Sequence, residues 1–257
     1  MRHQFSVIHP NARIADDVVV GPFTTIDDNV EIGAGTKIGS NVTILSGARI
    51  GSGCTIFPGA VVGAIPQDLK FRGEETTAVI GDGTTLRECV TVNRGTAAKG
   101  STIVGSNCLI MAYSHIAHDC RVGNGVIISN ASQLAGEVEV DDCAVIGGGS
   151  LIHQFCHIGS YVMLQGGALV NKDIPPFILA AREPISYAGV NVIGLRRRGF
   201  DAEAIETIRE IYRLLFNSGM GVSEAVEVIN RDIPESANKK MILDFVNAST
   251  RGILKGY

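Results

Sequence analysis

Hydrophobic residues recur with a period of six between Ile8 and Val170 of this 257-residue chain, with two interruptions, and this period constrains the fold more than any other feature. Twenty-five positions share the register: Ile8 to Val62, Ile80 to Val92, and Val104 to Val170, each run in steps of six. A smaller side chain follows four residues later, and four of the six cysteines occupy that slot. A period of six matches neither the 3.6-residue turn of a helix nor the two-residue alternation of a strand, so the chain must turn a corner in each hexad.

Three such sides close a triangular coil of 18 residues, and stacked coils form parallel ladders around an aliphatic interior. Glycine, Asn and Asp recur next to the hexad positions, as in Ile32-Gly33, where we expect tight turns. Two polar interruptions, near 63–78 and 94–102, predict loops that leave the wall, and such loops often carry binding residues. The pattern therefore predicts a mainly β protein, a parallel β-helix of hexapeptide repeats.

The repeat stops after Val170, at NKDIPPF, where consecutive prolines are expected to end the ladder. Asp201 is a candidate N-cap for a helix whose apolar face ends before Gly219. Shorter amphipathic stretches follow at about 223–231 and 236–248. We therefore expect a β-helix domain over 1–190 and a C-terminal α-helical domain over 191–257.

Charge and hydropathy exclude several classes of function. The net charge of −4 and pI of about 5.9 do not favour a nucleic-acid-binding protein, which needs a basic face. No stretch approaches the ~18 consecutive apolar residues of a membrane span, and the N-terminus lacks the apolar core of a signal peptide. We expect a cytoplasmic protein without an integral membrane segment, whose cysteines are free thiols.

Polar residues 18 apart lie above one another on neighbouring coils, so their spacing predicts which side chains meet. His118 aligns with Gly136 and with Gln154, and His115 and His153 fall on the same edge. A structural repeat gives no reason for this clustering. The sequence therefore predicts a candidate site along one edge of the β-helix.

Histidine at such an edge can be a general base, a metal ligand or a surface residue. Asp119 follows His118 directly and can hold the imidazole in the tautomer that leaves a basic nitrogen free. Gly136 can offer its N–H to a developing oxyanion. These features favour acyl transfer; a zinc site at a subunit junction and a non-catalytic scaffold remain alternatives.

Six ordered motifs carry a resemblance to a known family. They are QDLKFRGE (67–74), TVNRGT (91–96), HIAHDC (115–120), IHQFCHIG (152–159), DIPPF (173–177) and GLRRRGF (194–200). The chain resembles the UDP-N-acetylglucosamine O-acyltransferases of lipid A synthesis nearly from end to end, helical tail included. That resemblance implies a left-handed β-helix and a homotrimer.

The resemblance also implies roles for individual residues. His118 becomes the general base for the sugar 3-hydroxyl, Asp119 its orienting partner and Gly136 the oxyanion donor. The implied substrate-binding residues are Gln67, Asp68, Lys70, His115, His153, Gln154, Gly166, Asn191, Arg197 and Arg198. Gly166 would close the far end of the acyl groove, and as glycine would leave it open to a long chain. The attack is direct, with no metal or dissociable cofactor.

The implied substrates are an acyl carrier protein bearing a long 3-hydroxy fatty acyl group, and UDP-N-acetylglucosamine. Three departures concern sugar or nucleotide contacts: Asn93 and Glu137 replace histidines of the family motif, and Ile193 replaces a glutamate. An N-acyltransferase acting on a 3-amino UDP-sugar or on UDP-glucosamine is therefore an alternative. A zinc β-helix hydratase is a more distant one.

Overall fold

The computed structural model describes residues 1–256, which form 27 short strands followed by four helices. The strands are β1 (Val7–Ile8), β2 (Arg13–Ile14), β3 (Val19–Val20), β4 (Thr25–Ile26), β5 (Glu31–Ile32), β6 (Lys37–Ile38), β7 (Thr43–Ile44), β8 (Ala48–Ile50), β9 (Thr55–Ile56), β10 (Val61–Ala64), β11 (Thr77–Ile80), β12 (Thr85–Leu86), β13 (Thr91–Asn93) and β14 (Ser101–Val104). They continue as β15 (Leu109–Ile110), β16 (His115–Ile116), β17 (Arg121–Val122), β18 (Ile127–Ile128), β19 (Gln133–Leu134), β20 (Glu139–Val140), β21 (Val145–Ile146), β22 (Leu151–Ile152), β23 (His157–Ile158), β24 (Met163–Leu164), β25 (Leu169–Val170), β26 (Ile178–Ala181) and β27 (Ser186–Val190).

Successive strands belong to three different sheets, so the chain winds around a triangular prism. Face 1 stacks every third strand from β1 to β25, face 2 runs from β2 to β23, and face 3 from β3 to β24, followed by β26 and β27. Within the regular coils the parallel partners are 18 residues apart, as in His115 opposite Gln133. The predicted parallel β-helix of 18-residue coils is confirmed.

The hexad residues form the interior. Every one of them is buried except Ile8 and Ile14, which lie in the first coil, at the open N-terminal end. The four cysteines in the smaller inward slot, Cys54, Cys108, Cys120 and Cys156, are buried free thiols. They therefore serve as small core residues, as their position in the repeat indicates.

The left-handed residues of the turns lie two residues further along the chain than expected. Gly33, directly after a hexad residue, has an ordinary φ, and a Cβ there would lie 2.7 Å from the Gly51 carbonyl carbon of the next coil. Glycine is needed here for the close approach of two backbones, and the prediction of a tight turn at this position is wrong. The left-handed conformation falls two residues later, at positions such as Gly35.

Both polar interruptions leave the wall at the same edge, where face 1 passes into face 2. The longer loop joins β10 to β11 over residues 65–76, and the shorter joins β13 to β14 over 94–100. Asn93, which is 2 % exposed, holds the root of the longer loop by donating from Nδ2 to the Ile65 carbonyl oxygen at 2.5 Å. The two predicted loops are therefore neighbours on one edge.

The prediction that the prolines end the ladder is wrong. β26 pairs in parallel with β24 and adds one more strand to face 3, and β27 then turns back antiparallel to it. Pro175 and Pro176 lie in the connection before β26, so their missing N–H groups interrupt no strand pairing.

The helices are α1 (Val192–Arg197), α2 (Ala202–Asn217), α3 (Val222–Asp232) and α4 (Ala237–Ala248). The predicted N-cap of α2 is confirmed, because Asp201 Oδ1 accepts from the Ala204 N–H at 2.7 Å. The helices attach to the β-helix through the buried Tyr212, whose hydroxyl donates to the Pro176 carbonyl at 2.5 Å. Over residues 1–256, none of the helices is both long and apolar enough to cross a membrane.

Candidate active site

A groove of about 600 Å³ runs along face 1 beside the edge from which both loops emerge. Six of the predicted site residues line it: Gln67, His115, His118, Gly136, His153 and Gln154. Gln133, Leu151, Leu169 and Asn171 complete much of its wall. The residues that the 18-residue spacing placed together are therefore neighbours in one groove.

His118 and Asp119 form the pair expected of a general base and its orienting group. His118 Nδ1 lies 2.9 Å from Asp119 Oδ2, and the Asp119 side chain is fully buried whereas that of His118 is 12 % exposed. Burial opposes ionisation of Asp119, but hydrogen bonds from Thr96 and His118 outweigh it and hold the pKa of this carboxyl below its ordinary value. An ionised carboxylate only accepts, so Nδ1 carries the proton and Nε2 is left as the basic nitrogen.

The shorter loop binds the Asp119 carboxylate. The sequence predicted this loop but not its contact with Asp119. The Thr96 hydroxyl donates to Oδ2 at 2.6 Å, and the amides of Thr96 and Lys99 donate to Oδ1 at 2.9 and 3.3 Å. Position 119 also has a φ of +61°, a conformation that Asp tolerates better than most residues. The only signal in the sequence was the expulsion of this polar segment from the repeat, one coil before HIAHDC.

Gly136 lies directly beneath the imidazole of His118. A Cβ at this position would come within 2.5 Å of both Cε1 and Nε2 of His118, so the ring occupies space that only glycine leaves open. Within residues 1–256 the Gly136 N–H donates to no protein acceptor. The site thus places a free amide donor next to the basic nitrogen, as the stabilisation of an oxyanion requires.

The two other groove histidines differ in their surroundings. His115 Nδ1 lies 2.7 Å from the Thr91 hydroxyl, and burial, together with the nearby His118, lowers the pKa of His115. His153 is exposed, and its Nδ1 donates to the Gln154 carbonyl at 3.0 Å. The lowered pKa favours the neutral form of His115, whereas His153 lies at the open side of the groove.

The remaining predicted residues lie elsewhere in the chain. Asp68 and Lys70 lie further out on the longer loop, where Asp68 Oδ1 accepts from the Lys70 amide at 2.9 Å. Gly166 lies in the turn between β24 and β25, on the edge between faces 3 and 1. It does not line the groove that holds His118.

Three of the predicted substrate-binding residues lie near the third edge, between faces 2 and 3: Asn191, Arg197 and Arg198. Asn191 caps α1 by accepting from Gly194 N–H and donates from Nδ2 to the Tyr161 carbonyl at 2.9 Å. Arg197 is exposed, and Arg198 Nη1 contacts Cys143 Sγ at 2.9 Å. Within a single chain, these residues therefore lie at a different edge of the prism from His118.

The departures from the family pattern also have defined places. Asn93 is buried at the root of the longer loop, where it donates to the Ile65 carbonyl. Glu137 lines a small cavity of about 190 Å³ with Lys99 and the C-terminal segment, on the far side of the edge from the groove. Ile193 is 69 % exposed on α1.

In residues 1–256 of one chain, no three His, Cys, Asp or Glu side chains are arranged to share a metal ion.

Three family models match the chain. Residues 173–254 match "Udp N-acetylglucosamine O-acyltransferase; Domain 2", residues 101–136 match the bacterial transferase hexapeptide repeat, and residues 3–103 match the GMPPB C-terminal domain. With the repeat fold and the groove, they define the chain as a hexapeptide-repeat acyltransferase.

Full-length relatives give the family. Proteins named acyl-(acyl-carrier-protein)–UDP-N-acetylglucosamine O-acyltransferase are 49 % identical in Trichlorobacter lovleyi, over 99 % of both chains, and 45 % identical in Stenotrophomonas maltophilia, over 98 % of this chain and 97 % of the relative. The crystal structure of the UDP-N-acetylglucosamine acyltransferase from Bacteroides fragilis matches with a TM-score of 0.98 and 54 % identity, over 99 % of this chain and 100 % of that one. The structure of LpxA from Acinetobacter baumannii matches with a TM-score of 0.96 and 41 % identity, over 99 % of this chain and 99 % of that one. The chain belongs to the UDP-N-acetylglucosamine O-acyltransferase family.

Proposed function

We propose that this protein transfers a long 3-hydroxy fatty acyl group from an acyl carrier protein to the 3-hydroxyl of UDP-N-acetylglucosamine, the first step of lipid A synthesis. The names of the full-length relatives give an acyl carrier protein as the donor and UDP-N-acetylglucosamine as the acceptor. The long 3-hydroxyacyl group and the sugar 3-hydroxyl come from the motif resemblance. The observation that carries the mechanism is the contact of three groups in the groove: His118 bonded to a buried Asp119, above a free Gly136 N–H.

The reaction follows from this geometry as a direct attack. His118 Nε2 removes the proton of the sugar hydroxyl while its oxygen attacks the thioester carbonyl carbon. The Gly136 N–H stabilises the negative charge that develops on the carbonyl oxygen. When the intermediate collapses, the C–S bond breaks and the imidazolium returns the proton to the departing thiolate. Asp119 stabilises the imidazolium between these two proton transfers.

We propose that the active enzyme is a homotrimer with each site between neighbouring chains. The predicted substrate-binding residues lie near all three edges of the prism, so they can converge only if a second chain brings Asn191, Arg197 or Gly166 to the His118 edge. Leu151 and Leu169, on the groove wall, are 48 % and 63 % exposed, as expected of apolar residues that a neighbour covers. A flat β-helix face also offers a self-complementary surface.

The acyl donor and the compartment are part of the proposal. Arg196, Arg197 and Arg198 form an exposed basic run at the start of the helical region, suited to an acidic carrier protein. We place the enzyme in the cytoplasm, in agreement with its six free cysteines.

The test is product mass. Purified protein is incubated with a panel of acyl-carrier thioesters and with either UDP-N-acetylglucosamine or its 3-amino analogue. We expect one acyl group added to UDP-N-acetylglucosamine, with long 3-hydroxyacyl donors preferred. Acylation of the 3-amino sugar alone would support the N-acyltransferase hypothesis in place of the proposed function. Absence of any acylated product would refute both hypotheses.

A further inference from the structure

Within residues 1–256, the hydrogen bonds that link the shorter loop (residues 94–100) to the His118 site all go to the Asp119 carboxylate. Two of its donors belong to Thr96, whose amide and hydroxyl reach different oxygens of the carboxylate. Thr96 is 7 % exposed and Asp119 fully buried, so water does not compete for these bonds. With the Lys99 amide on Oδ1 and His118 Nδ1 on Oδ2, each carboxylate oxygen has two partners.

The loop is held in place independently of Asp119. Both ends of the loop are hydrogen-bonded to Thr77, the first residue of β11. The Gly95 N–H donates to the Thr77 carbonyl at 3.0 Å, and the Thr77 N–H donates to the Gly100 carbonyl at 3.1 Å. Lys99 Nζ bonds Glu139 Oε1 on β20 at 2.8 Å. The position of Thr96 is thus fixed by the wall, and Thr96 in turn fixes the carboxylate.

We infer that Thr96 is a positioning residue for acyl transfer, acting through Asp119 to set the tautomer of His118. Its two bonds prevent rotation of the carboxylate and direct one lone pair of Oδ2 at His118 Nδ1. A charge-assisted O–H···O bond of 2.6 Å is strong enough to maintain this orientation. The inference rests on the proposed function, since it matters for rate only if Nε2 is the catalytic base.

Three variants separate this role from a contribution to folding. Thr96→Val removes the hydroxyl donor but keeps the shape and the amide; Thr96→Ser keeps the donor. Thr84→Val is the matched control, because Thr84 is also buried and its hydroxyl donates to Gly105 O and accepts from the Cys108 amide, away from the groove. Each variant is compared with wild type by steady-state kinetics and by ¹⁵N–¹H correlation spectra of ¹⁵N-histidine-labelled protein.

The spectra report the tautomer directly. The chain has only six histidines, and the His118 signal is identified by its loss in His118→Gln. In Thr96→Val we expect the protonated nitrogen of neutral His118 to shift from Nδ1 towards Nε2, and kcat to fall about tenfold, with KM within about twofold of wild type. Thr96→Ser should restore both the tautomer and kcat.

Each alternative outcome has a defined meaning. An unchanged His118 tautomer in Thr96→Val overturns the inference even if activity falls, and so does an unchanged kcat when the tautomer has shifted. An equal fall in kcat for Thr84→Val would make the effect one of general packing and would also overturn it. If wild type forms no product, the proposed function fails, whereas the spectra still decide whether Thr96 controls His118.

Discussion

Replacing His118 with alanine tests the mechanism most directly. The change removes the imidazole that contacts Asp119 and lies above Gly136. Loss of a general base costs about 10²- to 10⁴-fold in rate, which corresponds to roughly 3–5 kcal/mol of transition-state stabilisation. We therefore expect kcat for acyl transfer to fall by at least about a hundredfold, with KM for the sugar nucleotide little changed.

The fold should survive this change. His118 is outside the aliphatic register, and Asp119 keeps three of its four hydrogen bonds, those from Thr96 and Lys99. Water can enter the vacated wall of the open groove, so we expect a loss of at most about 1–2 kcal/mol in the free energy of unfolding. Product mass, initial rates and thermal melting are measured beside His9→Ala, an exposed histidine outside the groove. A His118→Ala enzyme within threefold of wild type would refute the base assignment.

Four further predictions concern other parts of the molecule. Gly136→Ala places a Cβ within 2.5 Å of the His118 ring, so kcat should fall at least about tenfold while the melting temperature changes little. A wild-type kcat in this variant would contradict the close packing of Gly136 against His118. Gly166→Met should shift preference to shorter acyl donors in a competition assay, at ~0.8 kcal/mol per methylene excluded; an unchanged ranking would show that length is set elsewhere. Burial lowers the pKa of His157, but its 2.9 Å bond to Asp141 and the other nearby acids outweigh this and raise it above its ordinary value. This pair stabilises the fold fully below the ordinary histidine pKa and is lost as pH rises through the raised one, so Asp141→Asn should lower the melting temperature more at pH 6 than at pH 9, and equal losses would contradict the pairing. Sedimentation at micromolar concentration should give a trimer, and a monomer would remove the shared-site proposal.

The sequence predicted the wall of the β-helix well because each hexad faces the same environment. A residue buried at one coil is buried at the next, and the interior of 18-residue coils follows from the period alone. The same register predicted that His118 lies above Gly136, since a fixed offset becomes a vertical contact in a parallel ladder. The prediction of a turn at Gly33 is wrong for two reasons. The spacing gives the position of a corner only to within a residue or two, and the close approach of neighbouring coils also requires glycine at this position.

Where the repeat is broken, the sequence carried less information. Thr96 gave no signal of its own, because a loop outside the register has no fixed partner until its path is known. The continuation of face 3 past Pro175 and Pro176 was missed for a related reason: whether a proline disrupts a ladder depends on whether it falls in a strand or a connection.

The sequence by itself determined the β-helix, the edge that holds the histidines and the pairing of a base with a carboxylate, because all three depend on short, repeated offsets along the chain. Only the tertiary structure decided that the shorter loop binds both oxygens of Asp119, and that Gly166, Asn191 and Arg197 lie away from the His118 edge. Those relations join segments that no period connects. They are set by the path of the chain around a three-sided prism and by hydrogen bonds that can form only after the coils have stacked.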